Sequence, residues 1–428
     1  MKRRILKTIS IFLCLITALS VTAFAGVTYK SLPTSAEETR LLWSAKLGTS
    51  YRNAPSVPAV YGSSVIVMSG KELIKLDAAT GEIIQKAQMC SEPSFSYTPV
   101  LCTDGKLFCP LEGGVVQAFD AETMAPLWSF TAPSGGQALT PITYSSGRVY
   151  TGFWNDEEVS ADFVCLDADS GSLEWNKTRK GGYYWSEAYV SGNRIVVGGD
   201  NGSGLTEAET SVICYDKASG KELDKISVIG DVRSGIGEGS GSLYFVTKAG
   251  YIYKTSILSD GSFGEVSSGK LSGASTSTPV VYGGKIYIGV QSGGFSGSLN
   301  ILDAQTLETV RTVSMRGYPQ SSVLVSPSGG AVNVYSTYNS APGGIAVVAD
   351  ALNENSKAEE LFVPAEDAQN YCISTICVTD DGTMIYKNDS GTVFAVASGN
   401  PAEKSIMDLI VELFAAIINL IMQMLQHI

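Results

Sequence analysis

The stretch Pro58-Ala59-Val60-Tyr61-Gly62-Ser63-Ser64-Val65-Ile66-Val67-Met68, running on to Leu76-Asp77-Ala78-Ala79-Thr80-Gly81-Glu82, sets a pattern that the rest of the chain repeats. It reads as a short apolar strand, a Gly turn, an apolar second strand, and a third strand that ends on Asp; a fourth strand follows the closing Gly. Its last part returns as Phe119-Asp120-Ala121-Glu122-Thr123 with Trp128 behind it, and as Leu166-Asp167-Ala168-Asp169-Ser170-Gly171 with Trp175. It returns again as Tyr215-Asp216-Lys217-Ala218-Ser219-Gly220 and as Leu302-Asp303-Ala304-Gln305-Thr306. Degenerate copies put Ser256, Asp350 and Ala397 at the Asp position, so eight units follow one another at intervals of 40 to 49 residues. A period in the forties with four short strands per unit predicts an all-β, eight-bladed β-propeller of four-stranded blades.

The turn residues have a structural reading. Asp77, Asp120, Asp167, Asp216 and Asp303 are placed to accept hydrogen bonds from backbone N–H groups of their own turns. Gly81, Gly171 and Gly220 supply a positive φ before the fourth strand. The eighth unit, ending in Val393-Phe394-Ala395-Val396, has no fourth strand of its own before Pro401. Leu41-Leu42-Trp43-Ser44-Ala45-Lys46-Leu47 stands alone ahead of the first unit, with Trp43 matching Trp128 and Trp175. The N-terminal strand is therefore expected to complete the last blade, giving a propeller over residues 41–400.

The Leu-Asp-Ala-x-Thr-Gly turn with its following Trp resembles the quinoprotein (PQQ-like) propeller repeat, over roughly residues 41–400. The resemblance implies a fold shared by quinone-dependent alcohol dehydrogenases and by non-catalytic, protein-binding propellers such as outer-membrane-assembly lipoproteins. In the enzyme branch the quinone lies near a vicinal cysteine disulfide, with calcium and a catalytic Asp. This chain has no Cys-Cys pair, which puts that branch in doubt, and the non-catalytic branch is the expectation.

Composition narrows the chemistry. The chain has 428 residues, 44% hydrophobic and 17% charged, with 45 Gly and a formal charge of −12. A chain this apolar folds, and one this acidic is not a general nucleic-acid binder. The one histidine, His427, lies next to the C-terminus, so Ser-His-Asp catalysis and His-ligated zinc are excluded from the repeats. Lys2, Arg3, Arg4 and Lys7, the apolar run from Ile9 to Ala23 and the Ala23-Phe24-Ala25 junction read as a signal peptide over residues 1–25. A leader, residues 26–40, follows. The address is extracellular or cell-surface, in a bacterium, and the exported chain carries 26 basic against 42 acidic residues. Seven of eight cysteines remain after Cys14 leaves with the signal. None is in a Cys-x-x-Cys, and Cys165 and Cys214 take equivalent strand positions, as buried free thiols do.

No catalytic residue, metal site or cofactor is expected. Asp167-Ala168-Asp169-Ser170-Gly171 has a calcium-like look but falls on the repeat turn and lacks the later acidic ligand. Asn155-Asp156-Glu157-Glu158 reads as a solvated acidic loop. The loops from strand four to the next strand one, and from strand two to strand three, share one face. They carry Tyr51, Arg52, Tyr97, Trp154, Tyr183, Tyr184, Trp185, Glu187, Arg233, Tyr318, Tyr338 and Tyr371. Tyr, Trp and Arg carry much of the energy of binding interfaces, so this face is the candidate mouth for a protein or glycan ligand. The expected function is a non-catalytic binding scaffold. The alternatives are a carboxylate-dependent hydrolase or lyase, with Glu187 as acid, or a quinone-dependent dehydrogenase.

The tail, residues 401–428, breaks the repeat. Ile410, Leu413, Phe414, Ile417, Leu420, Ile421 and Met424 recur at three- and four-residue steps, which predicts an amphipathic helix with a broad apolar stripe. Asp408 and Glu412 interrupt a membrane span, so self-association or docking on a partner helix is its expected use.

Overall fold

The computed structural model describes residues 32–399, apart from residues 95–97, 157, 204–206 and the Arg52 side chain. The signal peptide and the C-terminal helix lie outside the described residues. Eight antiparallel four-stranded sheets are formed, and seven take their strands in chain order. The first blade is Ala59–Tyr61, Ser64–Ser69, Glu72–Asp77 and Ile83–Gln88; the seventh ends at Ala358–Phe362. The eighth holds Cys377–Val378, Met384–Lys387 and Thr392–Ser398, with Thr39–Lys46 paired to the last of these as its outer strand. The N-terminal strand thus closes the ring. It starts at Thr39, two residues ahead of the expected boundary. Part of the leader also packs: Leu32 is buried in the same apolar cluster as Leu324, Tyr335 and Phe394.

The core is divided into eight apolar clusters, each shared by two adjacent blades. Phe163 and Cys165 of blade 3, for instance, meet Ile195 and Val197 of blade 4. A four-stranded sheet has two apolar faces, and only a neighbour on each side removes both from water.

The lower face carries the Asp turns. The Asp77 carboxylate accepts from the N–H groups of Ala79 and Thr80, each at 2.9 Å. Asp167 accepts from Ser170 N–H at 2.8 Å and its hydroxyl at 2.7 Å, and these bonds hold its carboxyl below the usual range. The outer-strand Trp of one blade reaches the turn of the next. Trp43, Trp128 and Trp175 donate Nε1–H to the carbonyls of Ala78, Ala168 and Lys217. Each indole lies flat over the turn glycine: a Cβ at Gly81, Gly171 or Gly220 would come within 2.5 to 2.6 Å of the ring. These glycines therefore serve two needs, a positive φ and room for an indole.

Candidate functional site

The inner strand of each blade faces the axis, and its approach segment builds the wall of the channel. Counting back three residues from the first paired position gives Ser56, Thr98, Thr140, Ser186, Ser234, Ser277, Ser321 and Ser374, a hydroxyl in every blade. Several of these groups tie the approach segments in place, whereas the buried Ser234 and Ser277 hydroxyls make no hydrogen bond among the described residues. Ser56 and Ser186 accept the N–H of Met68 and Gly198 at 2.9 Å, and Thr140 donates to the Tyr183 carbonyl of the next blade at 3.0 Å. On an extended segment, the residues flanking such an anchored position face the other way. The preceding ones, Trp185, Arg233, Thr276, Gln320 and Ile373, line the floor of a cavity of about 540 Å³ on the upper face.

Six of the sequence-predicted residues line this cavity: Tyr51, Tyr184, Trp185, Arg233, Tyr318 and Tyr371. Tyr51 and Tyr371 are well exposed, whereas Tyr318 is nearly covered and its hydroxyl accepts the Thr276 N–H at 2.9 Å. Phe295, 61% exposed and edge-on to Tyr371 at 5.5 Å, joins them unforeseen, as do Gln291, Lys248 and Asp389. The sign of Phe295 in the sequence is Gly293-Gly294-Phe295, an apolar tip on a hairpin turn.

Other expectations are corrected. Tyr183 is fully buried between blades 3 and 4, its ring tilted against Phe163 at 5.2 Å; Tyr184 turns to the other side, and Trp185, at a φ of +56°, breaks the alternation and joins it in the cavity. Tyr338 is likewise buried, its hydroxyl on Glu360, while its neighbour Asn339 lines the cavity. Trp154 stands behind the mouth: its ring meets Tyr184 edge-on at 5.4 Å and its Nε1–H donates to Asp200 at 2.9 Å. Tyr97 and the Arg52 side chain lie outside the described residues.

One wall of the cavity is electrostatic. The Arg233 guanidinium lies 4.1 Å from the centre of the Tyr184 ring and donates from Nε to Asp200, which is fully buried. Asp231 is 3.7 Å from the same guanidinium, and burial, with the Asp200 charge beside it, pushes its carboxyl up to about 6. Burial, then Arg233, lowers the Lys248 ammonium. A matching pair sits across the mouth, Lys387 with Asp389 at 3.2 Å, where burial again lowers the lysine and raises the aspartate.

The next residue after each hydroxyl of the approach segments is Val57, Pro99, Pro141, Glu187, Gly235, Thr278, Ser322 or Thr375; Val57 and Gly235 are buried, and Glu187 is the well-exposed one. A Cβ on Gly235 would lie 3.5 Å from the Glu187 Cβ and 3.0 Å from Thr278 Oγ1, so residues of three successive blades meet here. Glu187 is reached by solvent along the axis yet surrounded by protein, and desolvation alone pushes its carboxyl up to about 7. Among the described residues no group of three His, Cys, Asp or Glu side chains is placed to hold a metal ion. All seven described cysteines are free thiols.

A family model described as outer membrane protein assembly factor BamB matches residues 34–178 and 114–400. The chain belongs to this family. Among solved structures, BamB from Moraxella catarrhalis aligns at a TM-score of 0.60 and 13% identity, covering 84% of this chain and 99% of that one. The quinohemoprotein alcohol dehydrogenase ADHIIG from Pseudomonas putida HK5 aligns at 0.62 and 14% identity, covering 91% and 78%. A europium-containing methanol dehydrogenase aligns at 0.62 and 11% identity, covering 83% and 86%. No curated protein matches the chain. The structural likenesses show the propeller; BamB proteins and dehydrogenases share it.

Proposed function

We propose that this chain is an exported, non-catalytic binding scaffold that seats a protein segment or a glycan in the upper mouth. The observation that carries the reading is the convergence of Tyr51, Tyr184, Trp185, Arg233, Tyr318 and Tyr371 on one cavity of about 540 Å³. Aromatic rings interleaved with Gln291, Gln320, Asn339 and Asn370 offer apolar area together with hydrogen-bonding groups that fix orientation. The family's name, an assembly factor for outer membrane proteins, favours a protein partner at the bacterial envelope. Export through residues 1–25 and association through the 401–428 helix complete the proposal. A hydrolase would draw on Glu187, whose raised carboxyl suits a general acid. No second carboxylate contributes to that shift, whereas glycoside hydrolysis uses a pair.

The test is selection from a displayed peptide library and a glycan array with the exported chain, repeated with a Tyr51→Ser/Tyr371→Ser variant. Both side chains are exposed, so the variant keeps its fold. Selected ligands are expected to bind the variant at least about tenfold more weakly, as loss of interface aromatics does. Equal binding by both proteins would place recognition elsewhere.

A further inference from the structure

We propose that the axial channel beneath the mouth receives a lysine or arginine side chain of a partner protein, whose charged end meets Glu187. The inference rests on the binding role of the mouth and names the chemistry it selects. Glu187 is the one ionisable side chain at this position of the eight approach segments, where the other seven blades offer Val, Pro, Gly, Thr or Ser, and it is the well-exposed one. Its carboxylate has no hydrogen-bond or ion-pair partner among the described residues. A carboxylate without a protein partner offers a cation supplied from outside a charge-assisted hydrogen bond that no residue of the chain competes for.

The surroundings suit such a guest. Gly235 lets Glu187 and Thr278 of the blades on either side approach each other: a Cβ there would lie 3.5 Å from the Glu187 Cβ and 3.0 Å from Thr278 Oγ1. The hydroxyls of Thr278 and Ser322, joined around the wall by bonds to Gly235 N–H and the Thr278 carbonyl, keep lone pairs for the remaining N–H groups of an ammonium or guanidinium. Trp185 and Tyr318 line the way in, and aromatic faces attract cations. Two residues along an extended chain span roughly 6–7 Å, about the reach of a lysine side chain, so a backbone resting at the mouth floor delivers its charge to Glu187. Two of the cations nearby are engaged, Arg233 with Asp200 and Asp231 and Lys387 with Asp389, and burial lowers the third, Lys248. The net charge of −12 also favours basic partners.

The probes are the capped tripeptides acetyl-Gly-Lys-Gly-amide and acetyl-Gly-Gln-Gly-amide, titrated calorimetrically into the full chain. At pH 8 the lysine peptide is expected to bind at least tenfold more tightly than the glutamine peptide. Glu187→Gln removes the preference, and Glu187→Asp retains part of it. Between pH 8 and pH 6 the lysine affinity falls about tenfold, because a carboxyl titrating at about 7 goes from mostly ionised to mostly protonated. The other charged groups facing this region are Arg233, Asp200, Asp231 and Lys248 on one side and Lys387 with Asp389 on the other. Asp231 titrates at about 6, so Asp231→Asn must leave the pH effect in place. Equal affinity for the two peptides, absence of binding by both, or a preference that survives Glu187→Gln overturns the inference. If both bind equally and Tyr51→Ser/Tyr371→Ser weakens both, the mouth stands and only its cation selectivity falls. If neither binds, the library selection alone decides the mouth.

Discussion

On the lower rim, five blades close with the same Asp turn, and three of those turns lie under a tryptophan from the blade before. On the upper rim, the loops differ in length and residue type from blade to blade. The lower turns satisfy themselves: an Asp oxygen takes up backbone N–H groups two and three residues ahead, and the bond needs nothing from elsewhere. The upper loops depend on their neighbours. Arg233 of the loop between blades 4 and 5 stacks on Tyr184 of the preceding loop and pairs with Asp200 of a third. Repetition marks the part of the ring that holds shape, and departure from it marks the part that meets ligands.

Arg233 breaks that division most sharply, since it lines the mouth and also neutralises a buried carboxylate. Arg233→Ala leaves Asp200 with only Trp154 Nε1–H and Gly202 N–H, and with Asp231 close by. A loss of about 3–5 kcal/mol is expected, as when one partner of a buried ion pair is removed. Urea denaturation measures it. Unchanged stability would mean that the upper rim carries no structural duty even at its most buried charge.

The next effect sharpens the account of the lower rim. Gly171→Ala places a Cβ 2.5 Å from the Trp128 ring at a φ of +70°, whereas Gly62→Ala, at +58°, meets nothing within 4 Å. The first is expected to cost about 2–4 kcal/mol, conformational strain plus displacement of the indole; the second about 1 kcal/mol, from strain alone. Melting temperatures of the two variants should differ accordingly, and equal values would show that the indole yields freely. Blades 2 and 6 point the same way: their turns carry Met124 and Leu307 at positive φ. Gln85 bonds the turn that holds Met124, and Gly269 faces Leu307, so neither lies under a tryptophan.

The same contrast explains what could be read from the amino acids. Blade number, ring closure and the roles of Asp77, Asp167 and Asp216 were legible because each depends on local spacing and a period. The mouth was legible only in kind. Tyr183, Tyr184 and Trp185 are adjacent aromatics, yet the first is core and the others line the cavity, because Trp185 sits at a φ of +56° and breaks the strand alternation, which composition does not carry. Tyr338 and Asn339 exchange roles through strand phase. Phe295 and Lys248 come from short hairpins whose direction is set by neighbouring blades.

The smallest expected effect tests how far the channel departs from water. The folded-state pKa of Glu187, about 7, lies above the ordinary carboxylate value of the unfolded chain. Its contribution to stability is therefore fully present below about pH 4.5 and is lost as the pH rises through 7. Glu187→Gln has no proton to lose. The variant should match the wild type near pH 4 and melt higher at pH 8, by roughly 1–2 °C, since solvent along the axis screens the group and the domain is large. Thermal melts at the two pH values decide it. A gap that opens with pH fits a carboxylate held short of water and open to an incoming cation. Identical melts at both would mean that channel water solvates Glu187 as well as bulk does, and a lysine side chain would then have little to gain there.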